Sequence, residues 1–291
     1  MPSLIDMRRR IRSVRNTQQI TKAMKMISAA RLRKAQERAF QSRPYAGLLK
    51  EVLESLAART ADLPEEKRHP LLARRPPERI LALVLTGDRG LCGGFNTNIL
   101  RAAERFSGDH KPKRIEFVMI GRKGRDYFRR RSAMIIAEHI NIFARLDYSH
   151  AREIAAAVIA AYAEEKTDAV YLIYNEFKSV MTQHVVVEQL LPLPEFRPPA
   201  GAVGNQVDYI YEEPPEEIFA HMLPRYIEIQ VYRALLESGA AEHAARMTAM
   251  DSATNNAGEM IDNLTLRMNR IRQAAITKEI IEVVSGAAAA V

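Results

Sequence analysis

Residues 85–98 read LTGDRGLCGGFNTN, and this stretch governs the first interpretation of the chain. An apolar run at Ile80–Leu85 leads into it, and the single cysteine, Cys92, lies inside its glycine-dense turn. A strand that passes through such a turn into a helix is where many α/β proteins bind phosphate or hold a nucleophile. The segment therefore raises an enzymatic hypothesis that the rest of the sequence has to support.

The glycine spacing does not match two common phosphate-binding patterns. A P-loop ends in Gly-Lys-Ser/Thr, whereas Gly93 and Gly94 are followed by Phe95. A dinucleotide-binding turn needs G-x-G-x-x-G, but Gly87, Gly90 and Gly93 are spaced G-x-x-G-x-x-G. A nucleophilic cysteine needs a base, and the 7 histidines form no recognisable pairing with it in the sequence. These observations favour a structural turn, with a nucleotide- or thiol-dependent α/β enzyme as the alternative.

The positive charge of the chain is concentrated in one segment. Formal net charge is +8, and residues 1–50 alone carry 13 Lys/Arg against the two acids Asp6 and Glu37. This concentration predicts an acidic partner surface, nucleic acid or anionic lipid. The first aromatic residue is Phe40, so no aromatic side chains interleave with the arginines for base stacking. A basic coiled-coil nucleic-acid binder stays open as a second alternative.

Cysteine content and hydropathy predict a soluble or membrane-peripheral protein of a reducing compartment. A single cysteine excludes an internal disulfide. The start, MPSLIDMRRR, lacks the apolar region of a secretory signal. The longest apolar stretches fall well short of the ~20 residues of a membrane span.

The first part of the chain, residues 1–60, predicts one long helix with a narrow apolar seam. The apolar positions follow helical spacing with a polar break at residues 16–19: Leu4, Met7, Ile11, Val14, Ile20, Met24 and Ile27. Four prolines within residues 63–77 then predict a linker.

Residues 78–207 predict a small Rossmann-like α/β domain with a parallel or mixed sheet, because strand-like and helical patterns alternate. The apolar runs are Ile80–Leu85, Arg114–Ile120, Ala133–Ile140, Ala169–Tyr174 and Val185–Leu191. The helical patterns lie near Asn98–Phe106, Lys123–Arg130 and Ala151–Glu165.

Residues 208–291 predict a second long helix. Pro214 and Pro215 with the two following glutamates form a good helix start, and Pro224 is expected to kink the helix or restart it. A heptad-type seam follows at Met247, Met250, Thr254, Ala257, Ile261, Leu264, Met268, Ile271 and Ala275. A small α/β domain cannot bury so long a helix. The two terminal helices are therefore predicted to form a long antiparallel coiled coil, with the α/β domain inserted between them.

Three segments together resemble one known family, the gamma subunit of bacterial-type F-type ATP synthases. They are SVRNTQQITKAMKMISAARLRKAQ (Ser13–Gln36), LTGDRGLCGGFNTNI (Leu85–Ile99) and Glu237–Ala287, which begins ESGAAEHAARMTAMDSATNNAGEM. The resemblance covers nearly the whole chain and is thin only near residues 59–79 and 105–165.

The resemblance implies a non-catalytic rotor shaft. The terminal helices would turn inside the hexameric ring of alpha and beta subunits, and the head would contact the epsilon subunit and the c-ring. Proton flow, or sodium flow, would drive the rotation that couples to ATP synthesis and hydrolysis at the beta subunits. The resemblance further implies no cofactor and no metal. It places the protein peripherally on the cytoplasmic side of a bacterial plasma (inner) membrane.

The resemblance also implies residues that bind partners. The positions matching contacts with the alpha/beta ring are Met24, Arg246, Gln273, Thr277 and Glu279. Those matching the foot on the c-ring are Tyr209, Tyr211 and Glu212, within the acidic-aromatic segment DYIYEEPPEE. Read without the resemblance, that segment is either a helix cap after a short strand or a docking surface. Plant plastid members carry an inserted pair of cysteines for thiol switching, which Cys92 alone cannot provide.

Overall fold

The computed structural model describes residues 4–59, 69–193 and 214–289. The chain divides into two compact units. One comprises residues 1–29 and 246–291, and the other comprises residues 30–245. The first and last helices, α1 (Leu4–Arg59) and α5 (Pro215–Ala289), each contribute to both units.

The unit of residues 30–245 is built on a five-stranded mixed sheet, as the alternating pattern predicts. Its strands are β1 (Arg79–Leu85), β2 (Arg114–Ile120), β3 (Ile135–His139), β4 (Ala169–Phe177) and β5 (Gln183–Leu191). The strand order is β3-β2-β1-β4-β5, in which β5 alone runs antiparallel to its neighbour. β1 is central and its residues from Ile80 to Leu85 are all buried, which explains why they form a continuous apolar run.

Three helices alternate with these strands, each within a few residues of its predicted place. They are α2 (Phe95–Asp109), α3 (Arg122–Arg129) and α4 (Tyr148–Ala163). α4 begins at a capping box in which the Asp147 carboxylate accepts from the backbone N–H of Ser149. Parts of the two terminal helices cover the sheet through buried leucines and isoleucines that include Leu49, Leu53, Leu56, Leu223 and Ile227.

The prediction of a linker over residues 63–77 is wrong for its second half. Residues 60–68 lie outside the described structure, but Pro70–Leu72 forms a 3₁₀ turn whose Leu71 is fully buried in the core. Tyr162 donates its hydroxyl hydrogen bond to the Ala73 carbonyl, and the Arg75 guanidinium lies over the Tyr162 ring. The prolines fix the backbone of a packed segment here.

Helix α5 does not restart at Pro224. It begins at Pro215 and runs as one helix through Pro224 to Ala289. A proline inside a helix loses one backbone hydrogen bond, at a cost of about 3 kcal/mol. Leu223 and Ile227 flank this position and are both fully buried, so packing offsets the loss.

The unit of residues 1–29 and 246–291 is an antiparallel helix pair, which confirms the predicted coiled coil. The Lys25 ammonium lies 2.6 Å from the Asp251 carboxylate, and the hydroxyls of Thr21 and Thr254 are 2.8 Å apart. Gln18 donates to the Thr254 carbonyl at 3.4 Å. The residue numbers of the contacts rise on α5 as they fall on α1, so the two helices run antiparallel.

The C-terminal seam follows its prediction, whereas the N-terminal seam departs from it. From Met250 to Ala275 every predicted seam residue is buried or half-buried. On α1, however, Ile20 and Ile27 are 60% and 54% exposed. Within residues 4–28 of α1, Met24 is half-buried as predicted, and the other half-buried or buried positions alternate three and four residues apart: Leu4, Met7, Ile11, Val14, Gln18, Thr21, Lys25 and Ser28. The seam continues through polar side chains, because the regular geometry of helix pairing determines which positions face the partner helix, whether or not they are apolar.

Asp168→Asn should destabilise the unit of residues 30–245 at neutral pH and less so in acid. The Asp168 carboxylate is buried and accepts from the guanidinium and the backbone N–H of Arg79, at 2.7 and 2.8 Å. The side-chain hydrogen bond from Arg79 is the main cause that lowers the pKa of Asp168. Losing the charge should cost about 1–3 kcal/mol of the free energy of unfolding.

The pH dependence of that loss has a definite sign. Because the folded pKa of Asp168 lies below its unfolded value, the stabilisation is present above the unfolded pKa of about 3.9. It disappears as the pH falls through the folded pKa. Urea titrations of the wild-type and variant chains at neutral pH and in acid measure the difference, and an equal difference at both would contradict the assignment.

Candidate functional site

The glycine turn, residues 86–94, lies where α/β proteins of this topology bind ligands. It follows the carboxyl end of β1, which pairs with β2 on one side and β4 on the other. The strand order reverses at this point, and ligands of open α/β sheets bind outside the carboxyl ends of the strands there. The turn is therefore the first place to look for an active site.

Two side chains of the turn region, Asn96 and Asp88, bind backbone N–H groups at the turn and beside it. The Asn96 side-chain oxygen accepts the Gly87 N–H at 2.8 Å. The Asp88 carboxylate accepts the backbone N–H groups of Arg122 and Asn141, both at 3.0 Å. A phosphate cradle would leave such donors pointing at the ligand. Here Asp88 instead fastens the turn to the segments that follow β2 and β3.

Cys92 is held as a structural residue. It is 2% exposed, and its Sγ accepts from the Asn96 side-chain N–H at 3.1 Å. Its thiol also lies 3.9 Å from the Arg89 carbonyl, as a weak donor. A reactive cysteine is a thiolate that a substrate can reach, in an electropositive environment. A buried Sγ in contact with an amide and a carbonyl does not offer a substrate that access.

A tight backbone crossing locks the ends of β1 and β2 together. Gly121 has φ +96°, and a Cβ on it would lie 2.0 Å from the Thr86 carbonyl oxygen. The Thr86 hydroxyl is buried, and it accepts the Gly124 N–H at 2.8 Å. Space that a nucleotide could enter is thus filled by the protein's own backbone at this crossing.

A groove of about 1070 Å³ lies elsewhere in the unit of residues 30–245, between α1, α5 and β5. Arg233 on its wall contacts the Glu188 carboxylate at 2.8 Å and lies close to the Tyr174 hydroxyl. Burial raises the pKa of Tyr174 well above its usual range, so this phenol stays protonated. Mutually paired charges of this kind are typical of structural networks.

No group of three or more His, Cys, Asp or Glu side chains that could hold a metal ion occurs in the described parts of the chain. Among the helices formed by residues 4–59, 69–193 and 214–289, none is long and apolar enough to cross a membrane.

The five residues matched to the alpha/beta ring do not form one cluster. Met24 and Arg246 are half-buried in the helix pair, close to the level of the Lys25–Asp251 ion pair. Gln273, Thr277 and Glu279 are exposed on α5. They lie at least 22 residues beyond Asp251, which is about 33 Å along a helix. The predicted contacts are therefore spread along the shaft.

Helix α5 carries apolar side chains on its exposed surface beyond the last paired position. Leu4 of α1 is the first described residue of the seam, and Ala275 is the last seam residue of α5 that is not exposed. The exposed large apolar residues beyond it are Ile276, Ile280, Ile281, Val283 and Val284. The predicted foot residues, Tyr209, Tyr211 and Glu212, lie outside the described residues.

Hydrophobic spacing alone missed the polar layer of the helix pair. Gln18, Thr21 and Lys25 of α1 meet Asp251 and Thr254 of α5. Continuing the 3-4 alternation from Leu4 through the polar break would have found the three α1 residues. The seam prediction for α5 included Thr254 but not Asp251.

The outer face of α1 in this unit is strongly basic. Residues 1–29 contain seven Lys/Arg and one acid, whereas residues 246–291 contain five of each. Among residues 4–29, every cation except Lys25 is exposed: Arg8, Arg9, Arg10, Arg12, Arg15 and Lys22. The helix pair thus presents an electropositive surface on one of its two helices.

Comparison with known proteins gives consistent matches along the chain. A family described as ATP synthase matches residues 3–290. The ATP synthase gamma chain of Solibacter usitatus is 58% identical over the full length of both chains, and that of an Anaeromyxobacter species is 51% identical over 99% of each.

Solved structures give the same result for the fold. The central stalk and c-ring structure of the Tetrahymena thermophila mitochondrial ATP synthase contains a chain 28% identical, with a TM-score of 0.62, covering 80% of this chain and 99% of that one. A chain of the Euglena gracilis mitochondrial ATP synthase is 18% identical, with a TM-score of 0.67, covering 98% of this chain and 94% of that one. These matches confirm the family named from the three sequence segments. The chain belongs to the gamma chain family of ATP synthases.

Proposed function

We propose that this chain is the non-catalytic central shaft of an F-type ATP synthase. It would couple rotation of an ion-driven c-ring to ATP synthesis and hydrolysis at the beta subunits. The observation that carries this proposal is the match to the gamma family over residues 3–290, in a chain whose switch-point turn holds a buried cysteine. In this turn the Gly87 N–H is bound by Asn96 and the cysteine is buried, which favours a structural role over catalysis.

The charge distribution of the helix pair supports contact with acidic surfaces. The exposed arginines of α1 would face acidic loops of the beta subunits, near the Met24 position. Rim charges of this kind speed and orient association while adding modest affinity. A surface that slides past three partners in turn needs such weak contacts. Arg246, Gln273, Thr277 and Glu279 would contribute further contacts to the alpha/beta ring.

The remaining partners and the location follow from the same role. Tyr209, Tyr211 and Glu212 would form the foot on the c-ring, and the α/β unit would bind the epsilon subunit. The chain would then divide into helix 1–60, head 78–207 and helix 208–291. The protein would sit peripherally on the cytoplasmic side of a bacterial inner membrane, through the complex and with no cofactor of its own. Protons would drive the rotation, with sodium as the alternative ion.

A rotation assay tests the proposal directly. Cys92→Ser keeps an acceptor for Asn96 and removes the single thiol, so Met181→Cys, at a position 80% exposed, can carry a unique probe. In the assembled complex we expect ATP to drive stepwise rotation of the probe. We also expect hydrolysis by the Cys92→Ser complex to stay within about twofold of wild type, because a buried structural thiol takes no part in chemistry.

Three results would contradict the rotor proposal. ATP hydrolysis with a stationary probe would exclude the shaft role. Loss of hydrolysis in Cys92→Ser, with assembly intact, would favour the thiol-dependent enzyme instead. Salt-sensitive binding of the free chain to duplex or single-stranded nucleic acid, tighter than its binding to the ring, would favour the nucleic-acid alternative.

Deleting residues 276–291 should weaken assembly or coupling while the α/β unit stays folded. The deleted segment begins just past the last seam residue of α5 that is not exposed, and it carries exposed apolar side chains. We expect less than about 1 kcal/mol of change in the free energy of unfolding of the α/β unit, since none of its core is removed. Circular dichroism melts of the chain and proton pumping by the complex measure the two effects. An unfolded α/β unit would contradict this division.

A further inference from the structure

Glu242 of helix α5 occupies the approach to the glycine turn. Its side chain is 6% exposed. A Cβ placed on Gly87 would lie 3.0 Å from both Cδ and Oε1 of Glu242, and 3.3 Å from Oε2. The carboxylate thus lies directly on the backbone of the first turn residue after Thr86. In doubly wound folds a glycine at this turn lets the backbone approach a ligand's phosphate.

The neighbouring part of α5 is built for close approach to the same unit. Residues 234–245 contain a run of small side chains, and Ala234, Ser238, Ala240, Ala241 and Ala244 are all fully buried. Gly239 lies against the ring of Phe143, 3.6 Å from where its Cβ would stand. Small residues let a helix lie close to its neighbour, and the larger Leu235, Leu236 and Glu237 of this stretch are buried as well. Glu242 is a long side chain in this contact and can hold the helix in one position against the turn.

Gly87 does not need to be glycine for its own backbone. Its φ lies outside the left-handed region, unlike those of Gly93 and Gly121. The Gly87 N–H is already bound by Asn96, and its carbonyl accepts from the Lys123 N–H at 3.1 Å. The feature of Gly87 that remains to be explained is the missing side chain, and Glu242 fills that space.

We propose that the Glu242 carboxylate, seated on Gly87, is a positioning residue that fixes helix α5 to the carboxyl edge of the sheet. The protein's own anion thereby takes the place of a bound phosphate, and the nucleotide-type turn becomes an attachment point. Because α5 continues into the paired helices, this contact transmits torque between the α/β unit and the shaft. That last step rests on the proposed rotor function.

A compensating pair of substitutions tests the contact in the assembled complex. Gly87→Ala inserts a methyl group against the carboxylate, and Glu242→Asp withdraws the carboxylate by one methylene. The matched control is Gly90→Ala in the same turn, where a Cβ meets nothing within 4 Å. Hydrogen exchange over residues 234–245 reports local opening of the helix, whatever the activity of the complex.

We expect Gly87→Ala to speed exchange over residues 234–245 on the order of tenfold, because the packed contact must give way. Gly90→Ala should stay within about twofold of wild type, the usual error of independent sites. The double variant Gly87→Ala/Glu242→Asp should exchange more slowly than Gly87→Ala alone. Equal exchange in the two glycine variants, or no rescue in the double variant, would overturn the contact.

The torque role has its own readout, the ratio of ATP-driven proton uptake to ATP hydrolysis. It should fall in Gly87→Ala, recover in the double variant and stay unchanged in Gly90→Ala. A normal ratio in Gly87→Ala despite faster exchange would overturn the torque role while leaving the contact in place. If the wild-type probe does not rotate, the rotor function itself fails, and the exchange measurements still decide the contact.

Discussion

Gly121→Ala is expected to prevent stable folding of the α/β unit. The substitution would place a methyl carbon 2.0 Å from the Thr86 carbonyl oxygen and would force a side chain onto φ +96°. Backbone cannot move aside cheaply, so the steric cost and the left-handed strain add to about 4 kcal/mol or more. That is comparable to the whole stability of many small domains. The yield of soluble chain and its urea midpoint measure the loss.

Gly108→Ala is the matched control for that substitution. Gly108 lies in α2, and a Cβ there would meet nothing within 4 Å. Alanine also favours the helix over glycine by about 1 kcal/mol, so the control should be as stable as wild type or slightly more stable. Similar urea midpoints for the two variants would contradict this expectation, because they would mean that the backbone at residues 86 and 121 can accommodate a Cβ.

Reversing the charge of Arg8, Arg9 and Arg10 to Glu should slow association with the alpha and beta subunits strongly. These side chains are exposed and belong to the basic outer face of α1. Removing a field that steers an acidic partner lowers the association rate on the order of 10- to 100-fold at low ionic strength. The effect should shrink as salt is added. Stopped-flow mixing with the ring at several salt concentrations gives the rates.

The control for charge reversal keeps the same change in net charge at another place. Lys111, Lys113 and Lys123 are exposed on the α/β unit, and their triple change to Glu should slow association much less. The melting temperature of the free chain should change little in either variant, since exposed charges contribute little to folding. Equal slowing in both variants would show that net charge, and not the α1 surface, governs the encounter.

The α/β sheet was predictable because its signals are local. The apolar run at Ile80–Leu85 is buried over its whole length. The predicted run at Val185–Leu191 lies within β5 and ends at the same residue as that strand. Proline was the weaker signal. Pro224 suggested a kink or a restart, and the restart is wrong because α5 is one continuous helix. Pro70 suggested a linker where Leu71 is part of the core. Tertiary burial decided both cases, and burial cannot be read from the proline itself.

The candidate sites divide in the same way. The sequence identified the turn around Cys92 as distinctive, but only the structure shows that Asn96 and Asp88 bind backbone groups there and that Glu242 lies on Gly87. Glu242 is 155 residues from Gly87 in the chain, so no local pattern could connect them. On α1 the apolar spacing predicts Ile20 and Ile27 in the seam, but these residues are exposed, and the neighbouring Thr21 and Ser28 are buried instead. Because Thr21 and Ser28 are polar, a pattern of apolar residues does not include them, although their positions follow the 3-4 spacing of the seam.

The exposed apolar end of α5 has a consequence for how the protein is made. Ile276, Ile280, Ile281, Val283 and Val284 meet water when the chain is alone. Exposed apolar side chains grouped in this way promote aggregation unless a partner covers them. A cell that synthesises this chain faster than its partners therefore accumulates a free subunit that is prone to aggregate. We therefore expect production of the soluble chain to require matched synthesis of the subunits, or a chaperone that covers the free end of α5.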